Sequence, residues 1–349
     1  MPALLSRPSI WLLLLLLWTA CAPSLPFPTR PTASPLPTTT PTALPPPTAT
    51  PRSPLGAEDN PLVLALPPSR FPAAEQIGHA RKLAALLSER SGYRFLAVAP
   101  FSYPDLIQAL QKGNVHLAAL PPFALVKAYQ HDAVRAFYAS TRQGTASYGA
   151  QFIGPSDRFT AYFDPLRQQN TASAPVALEQ LRDQKPCWTN PASPAGYLIP
   201  FGLLNWYRIP TQEGAFVQSH FDVVRALRLG GICDFGATYV DARLYPPLRE
   251  SHPFLLDEVI VIWQIPPIIP YDGLFLSAMV PADVAAELQK TIYLLLPLPE
   301  GKQVFQALYS MEDLIPVDDL FYVEFRRYLE ASGADLDALI ATLESRPDR

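Results

Sequence analysis

Two stretches of the chain place polar groups where short apolar segments meet helices. The first, Thr189-Asn190-Pro191-Ala192-Ser193-Pro194-Ala195-Gly196, runs directly into 197–207, a segment with the apolar density of a partly buried helix. The first amides of a helix have no partner within it and carry the positive end of its dipole. Such a start takes anionic oxygens, and Ser193 adds a hydroxyl. The same residues also serve as a simple cap, with Ser193 or Asn190 satisfying its own backbone. The second stretch is Gln218-Ser219-His220 with Asp222, followed by Gly230 through Asp241. Its small-residue strand carries Asp234 in the middle and Asp241 at the end. A histidine at a helix start is either a ligand contact or a cap, and Asp234 beside Phe235-Gly236 either meets a ligand or orients a turn.

Other chemistries fit less well. Ser193, His220 and Asp241 have the residue types of a hydrolytic triad, but no nucleophile-elbow sequence surrounds Ser193, so an enzyme is not expected. The five histidines are scattered, and no two stand at ligand spacing with a carboxylate or thiol. Neither a metal nor a cofactor is therefore predicted. A net charge of −4 over 349 residues argues against nucleic acid as a partner, because phosphate-backbone binders concentrate Lys and Arg.

The elements that hold these stretches alternate from about residue 61. Strands are predicted at 62–66, 93–98, 115–120 and 136–140, with helices at 73–91, 103–112 and 123–130 between them. Gly92 and Gly113 close two of those helices. The pattern restarts with strands at 147–154, 185–189, 215–218, 232–238 and 258–264, and helices at 176–182, 197–207 and 221–229. Helices at 282–295, 302–309 and 319–331 finish the chain. This reads as α/β architecture in two successive lobes, the first discontinuous and completed by residues after about 268. The divisions are 60–147 with 269–349 for lobe 1, and 148–268 for lobe 2.

The chain has 41 prolines beside 16 glycines, an excess that marks a segment outside any packed core. Residues 1–21 hold a single early Arg7 and a nine-residue apolar run, Ile10 to Trp18, too short to span a bilayer of roughly 30 Å. Thr19-Ala20-Cys21 then resembles the lipobox of bacterial lipoproteins, which implies a signal peptide cut before a lipidated Cys21. About a third of residues 22–54 are proline, interleaved with Thr, Ala and Ser, so 22–59 is expected to be a disordered tether. The expected location is extracytoplasmic, with the folded part held at the membrane through a lipid anchor.

Several motifs, in order, resemble the phosphate/phosphonate-binding (PhnD-like) substrate-binding proteins of ABC transporters, a branch of the type II periplasmic binding proteins. A Tyr opening the helix before a "G-x-V-D-x-A" strand is matched by Tyr103 and Gly113 through Ala118. A Tyr before the strand entering the second lobe is matched by Tyr148. "D-P-x-S-x-S-G" is matched by Asn190 through Gly196, "G-S-H" by Ser219-His220, "G-x-x-D-x-G-A" by Gly231 through Ala237, and "I-P-x-D" by Ile269 through Asp272. The resemblance covers about 60–320. It implies two α/β lobes joined by a two-strand hinge, and a ligand bound in the cleft between them. The implied ligand residues are Tyr103, Tyr148, Ser193, His220, Asp241 and Asp272, with the amides of Ala195 and Gly196 as anion donors.

One departure bears on the ligand. Pro194 and Ala195 stand where the family supplies further hydroxyls, so donors for a phosphonate are lost. Acidic acceptors in such a cleft select a protonated oxyanion or an amine-bearing ligand. In the type II topology the strands carrying Cys187 and Cys233 lie side by side, and a disulfide and two buried thiols both remain open. The expected function is capture of a small anion or zwitterion, such as phosphate, phosphite or a phosphonate, by a monomeric lipoprotein that delivers it to an ABC permease and ATPase. The alternatives are a sensing domain of the same fold that signals to a receptor kinase, and a binder of another small organic solute.

Overall fold

The computed structural model describes residues 53–345; the signal segment, Cys21 and the tether through residue 52 lie outside the described residues. The strands are β1 (Leu62–Ala65), β2 (Phe95–Val98), β3 (Leu117–Leu120), β4 (Val134–Thr141), β5 (Ser147–Pro155), β6 (Phe163–Asp164), β7 (Gln169–Asn170), β8 (Pro186–Trp188), β9 (Ala215–Phe216), β10 (Phe235–Tyr239), β11 (Val259–Pro270), β12 (Gly273–Ser277) and β13 (Asp313–Pro316). The helices are α1 (Ala74–Ser91), α2 (Tyr103–Gln111), α3 (Pro122–Gln130), α4 (Ala174–Leu178), α5 (Ile199–Trp206), α6 (His220–Leu229), α7 (Pro246–Ser251), α8 (Leu255–Glu258), α9 (Ala282–Leu295), α10 (Pro299–Tyr309), α11 (Val323–Ala331) and α12 (Leu336–Glu344).

Two mixed sheets organise the molecule. The first has the order β13-β4-β12-β3-β1-β2 and the second β11-β5-β10-β8-β9. In each, parallel pairing comes from βα alternation, as in β1 with β2 and β3, and β8 with β9 and β10. Antiparallel strands complete both. Leu62, Leu64 and Ala65 are fully buried, consistent with a central parallel strand covered on both faces.

The chain crosses between the sheets twice at one place. β4 leaves the first sheet and β5 enters the second through 142–146; β11 returns to β12 through Tyr271 and Asp272. The crossings run side by side, because Ser140 donates its amide to the Asp272 carbonyl (3.0 Å) and Tyr271 donates to that of Ala146 (3.3 Å). Arg142, Tyr271 and Asp272 therefore stand at the junction of the two sheets. Farther on, α11 lies against α5. A Cβ at Gly202 of α5 would come 1.7 Å from the Tyr328 carbonyl oxygen of α11, so only glycine permits this approach.

Four local expectations change. Residues 53–59 are not tether: Leu55 packs into the first core, and Gly56, at φ 94°, exchanges backbone hydrogen bonds with Asn60 and Arg94. The strand expected to end at 264 runs on to Pro270 as β11. As the edge strand of its sheet it tolerates Pro266 and Pro267, whose missing amides cost no ladder bond on the open side. β12, with its buried apolar residues, occupies the middle of the first sheet where no strand was predicted. α12 extends the helical end of the chain beyond the last predicted helix. Cys187 and Cys233 are joined by a disulfide, with their Cα atoms 5.5 Å apart.

Candidate functional site

At the junction of the sheets lies a cavity of about 520 Å³, whose wall includes Arg142, Tyr148, Ser193, Ala195, His220 and Asp272. Each residue is delivered by the end of an element. Ser193 caps the π-helical turn Pro194–Leu198 that leads into α5. His220 is the first residue of α6, whose N-cap Ser219 accepts the Asp222 amide. Tyr148 comes from the start of β5, and Asp272 and Arg142 from the two crossings. A second cavity of about 470 Å³ adjoins it through Arg142, Asp272 and Pro121, and Tyr103 belongs to that one.

The helix start at Ser193 is partly spent on its own cap. The Ser193 oxygen accepts the Gly196 amide at 3.0 Å, Asn190 Oδ1 accepts the Ala192 amide, and the Ser193 carbonyl accepts from Tyr197 and Leu198. Gly196, implied as an anion donor, is committed to Ser193 and buried away from the cavity wall. Pro194 has no N–H to donate. Ala195, which lines the cavity, supplies the remaining N–H of this turn. The Ser193 hydroxyl still has its proton to donate.

Asp241 is also placed differently from the expectation. It is not in the cavity wall; its oxygens accept from Arg243 Nε (3.0 and 3.2 Å) and Nη2 (2.6 Å), and Oδ1 accepts from Gln151 (2.7 Å). Burial works to raise its carboxyl, but the Arg243 guanidinium and Gln151 outweigh it, so the group is held below the usual carboxylate range. The reason is the Asp-x-Arg spacing, which folds back into a tight turn over Ala242–Leu244.

Sequence reasoning missed Arg142 and Tyr271. The Arg142 guanidinium lies over the Tyr271 ring, 4.7 Å from its centroid, and Tyr271 in turn stacks on Tyr148 at 5.4 Å. Arg142 is the only Lys or Arg in the walls of the two adjoining cavities, among the described residues. Its sequence surroundings are an ordinary turn, and only the crossing of two non-adjacent segments makes it part of a site.

The remaining donors are neutral. Burial pushes the Tyr148 hydroxyl up to about 12, with Tyr271 adding to the rise and Arg142 opposing it, so Tyr148 keeps its proton. His220 Nδ1 accepts the Tyr239 amide at 3.2 Å, which leaves the neutral ring's proton on Nε2. Burial lowers the imidazole to about 4. An unfolded histidine titrates near 6.5, so between these values the unfolded chain binds the extra proton. The stability that depends on a neutral His220 is thus complete above about 6.5 and is lost as pH falls toward about 4. The melting temperature of the native protein should fall more steeply from pH 6.5 to 4.5 than that of His220→Gln, whose amide oxygen can still accept from Tyr239. Equal slopes would show that His220 is not titrating there.

The cavity combines one guanidinium, several neutral donors and one carboxylate, Asp272, between two α/β sheets. The profile of the family described as "ABC transporter, phosphonate, periplasmic substrate-binding protein" matches residues 69–322. The chain belongs to this family. It is therefore an extracytoplasmic solute-binding protein of an ABC transporter, working with a permease and ATPase, and a transport receptor rather than a catalyst. Its architecture is the type II periplasmic binding fold, two α/β lobes joined by a hinge. No curated protein matches the chain.

Similar solved structures include XAC2383 from Xanthomonas citri bound to ATP, at 16% identity and a TM-score of 0.45, covering 82% of this chain and 99% of that one. PhnD1 from Prochlorococcus marinus in complex with methylphosphonate is 14% identical, with a TM-score of 0.38 and coverage of 77% and 96%. A binding protein component of an ABC phosphonate transporter from Pseudomonas aeruginosa is 18% identical, with a TM-score of 0.39 and coverage of 84% and 98%. Identities this low carry no ligand over to this chain.

Proposed function

We propose that the cavity at the junction captures one small oxyanion head, phosphate or a phosphonate, for delivery to the transporter. The observation that supports this is the convergence of Arg142, the Ala195 amide and the neutral donors Tyr148 and His220 on one cavity of about 520 Å³. Charge-assisted and preorganised neutral donors together hold an oxyanion without excess positive charge. Asp272 accepts a hydrogen bond from the hydroxyl of a monoprotonated head or from an amine on the ligand, and disfavours a fully ionised head. The reading uses Tyr148, Ser193, Ala195, His220 and Asp272, leaves Tyr103 to the adjoining cavity, and omits Gly196 and Asp241. Lipidation at Cys21 would tether a monomeric receptor at the membrane.

Calorimetric titration of the full chain with inorganic phosphate, methylphosphonate and methanesulfonate tests the ligand class. Phosphate or methylphosphonate should bind, and Tyr148→Ala and His220→Ala should each weaken that binding by roughly tenfold, as expected for loss of one hydrogen bond to a charged group. Binding of neither phosphorus oxyanion would overturn the reading while leaving the family assignment intact.

A further inference from the structure

The cavity of about 470 Å³ that adjoins the oxyanion cavity has room for a small organic group rather than an ion alone. Arg142 and Asp272 stand in both walls, and among the described residues they are the charged side chains of the second. Beyond that shared mouth the wall is neutral, and its polar side chains include Ser140 and Gln76. Ser140 stands near the end of β4, two residues before Arg142, so strand alternation turns both to the same side. It is only 4% exposed, and its amide is committed to the Asp272 carbonyl at 3.0 Å. Among the described residues no hydrogen bond engages the Ser140 hydroxyl or the Gln76 carboxamide. The Tyr309 hydroxyl in the same wall is, by contrast, spent on the Ala65 carbonyl at 2.9 Å.

We propose that this adjoining cavity is a subsite for a hydroxyl-bearing substituent on the oxyanion head, so that the ligand class is a phosphate monoester of a small polyol or the matching hydroxyalkylphosphonate. This rests on the oxyanion reading of the first cavity. The head stays there, because Tyr148, His220 and Ala195 belong to that wall and not to the second. The substituent leaves past Arg142 and Asp272, which both walls share. Its chemistry follows from what lies beyond them. A second charged group would meet no counterion there. An apolar chain would fill the space while leaving the enclosed Ser140 hydroxyl without a partner, and an unmade bond at a buried polar group is costly. A ligand hydroxyl both donates and accepts, as do a serine hydroxyl and a carboxamide, so Ser140 and Gln76 match it in either direction. Gln76 also lines the cavity of about 700 Å³ farther out, which puts it at the far end of the subsite.

The test is calorimetric titration of the native full chain, Ser140→Ala and Gln76→Leu with inorganic phosphate, methylphosphonate, propyl phosphate and glycerol 3-phosphate. The last two are monoesters of the same chain length that differ only in hydroxyl groups. The native protein should bind glycerol 3-phosphate about tenfold or more tightly than propyl phosphate, because a site built to bond a hydroxyl rejects the analogue lacking it. Ser140→Ala should weaken glycerol 3-phosphate by about three- to tenfold, the order of one neutral hydrogen bond, and leave propyl phosphate and inorganic phosphate within about twofold. Gln76→Leu, on a partly exposed side chain, should narrow the same preference, and it carries the test should Ser140→Ala not fold. If phosphate binds but the native protein does not distinguish the two esters, the subsite is overturned alone. It is overturned too if the preference survives in both variants, since the hydroxyls would then be held elsewhere, or if the variants weaken both esters equally. If neither inorganic phosphate nor methylphosphonate binds, the oxyanion reading falls and the subsite with it.

Discussion

Replacing Arg142 with methionine should weaken phosphate or methylphosphonate binding by about 10- to 150-fold, the equivalent of about 1.5–3 kcal/mol for a hydrogen bond to a charged group. The size of the effect follows from its solitude: among the described residues no other Lys or Arg stands in the walls of the two adjoining cavities, and the remaining donors are neutral. Methionine preserves much of the apolar stem over Tyr271 while removing the charge. Arg142→Lys should recover part of the affinity, because an ammonium keeps the charge but loses the planar stack on the ring and the forked donor geometry. The native affinity should fall as salt rises, and the methionine variant should show a flatter dependence. Because Arg142 is exposed, the melting temperature without ligand should change little. An affinity within twofold of native would show that the cleft holds its ligand without this cation.

The difference between what the sequence announced and what it concealed is physical. Helix starts and βα alternation are local, and the start of α6 at His220, the turn at Ser193 and the ends of β1 and β5 follow from spacing and capping. Ser193, Ala195, His220 and Tyr148 all stand near the starts of elements, and the cavity at the junction of the sheets gathers them into one wall. Arg142 was not legible in the local sequence, because its role depends on β4 and β11 ending side by side, a register set by pairing between segments about 130 residues apart. β12 was hidden for a related reason. A five-residue apolar run between Asp272 and the next helix shows no period of its own, and its status as a central strand comes from β3 and β4 on either side. Gly196 stands outside the wall because a capping serine and an anion site use the same amides, and here the cap takes this one, a choice that local sequence does not encode.

Asp241 stands outside the cavity wall for a similar reason, since its partner Arg243 claims it within one turn, and that pairing makes Arg243 critical for stability. Arg243→Met should lower the unfolding free energy by about 3–5 kcal/mol, the usual consequence of stripping one partner from a buried ion pair. Both side chains are nearly enclosed, at 11% and 13% exposure, and Arg243 also donates to the Val259 carbonyl at 2.8 Å. Without the guanidinium, Asp241 keeps only Gln151 and the Arg243 amide, and burial is no longer outweighed. In the native protein the depressed carboxyl contributes stability above the ordinary carboxylate range, lost as pH falls through the lowered folded value. In Arg243→Met the folded value should instead rise, so its deficit should be largest near neutral pH and shrink toward about 4 as Asp241 takes a proton. Urea unfolding of native, Arg243→Met, Asp241→Asn and the double variant at both pH values measures this. The double variant should recover most of the loss, since no charge is left stranded. An Arg243→Met protein within about 1 kcal/mol of native, or a double variant no better than it, would refute a structural ion pair. Phosphate titration of Asp241→Asn separates this role from the one the family resemblance implies: affinity should stay within about twofold of native, whereas a tenfold loss in a fully folded variant would return Asp241 to the ligand.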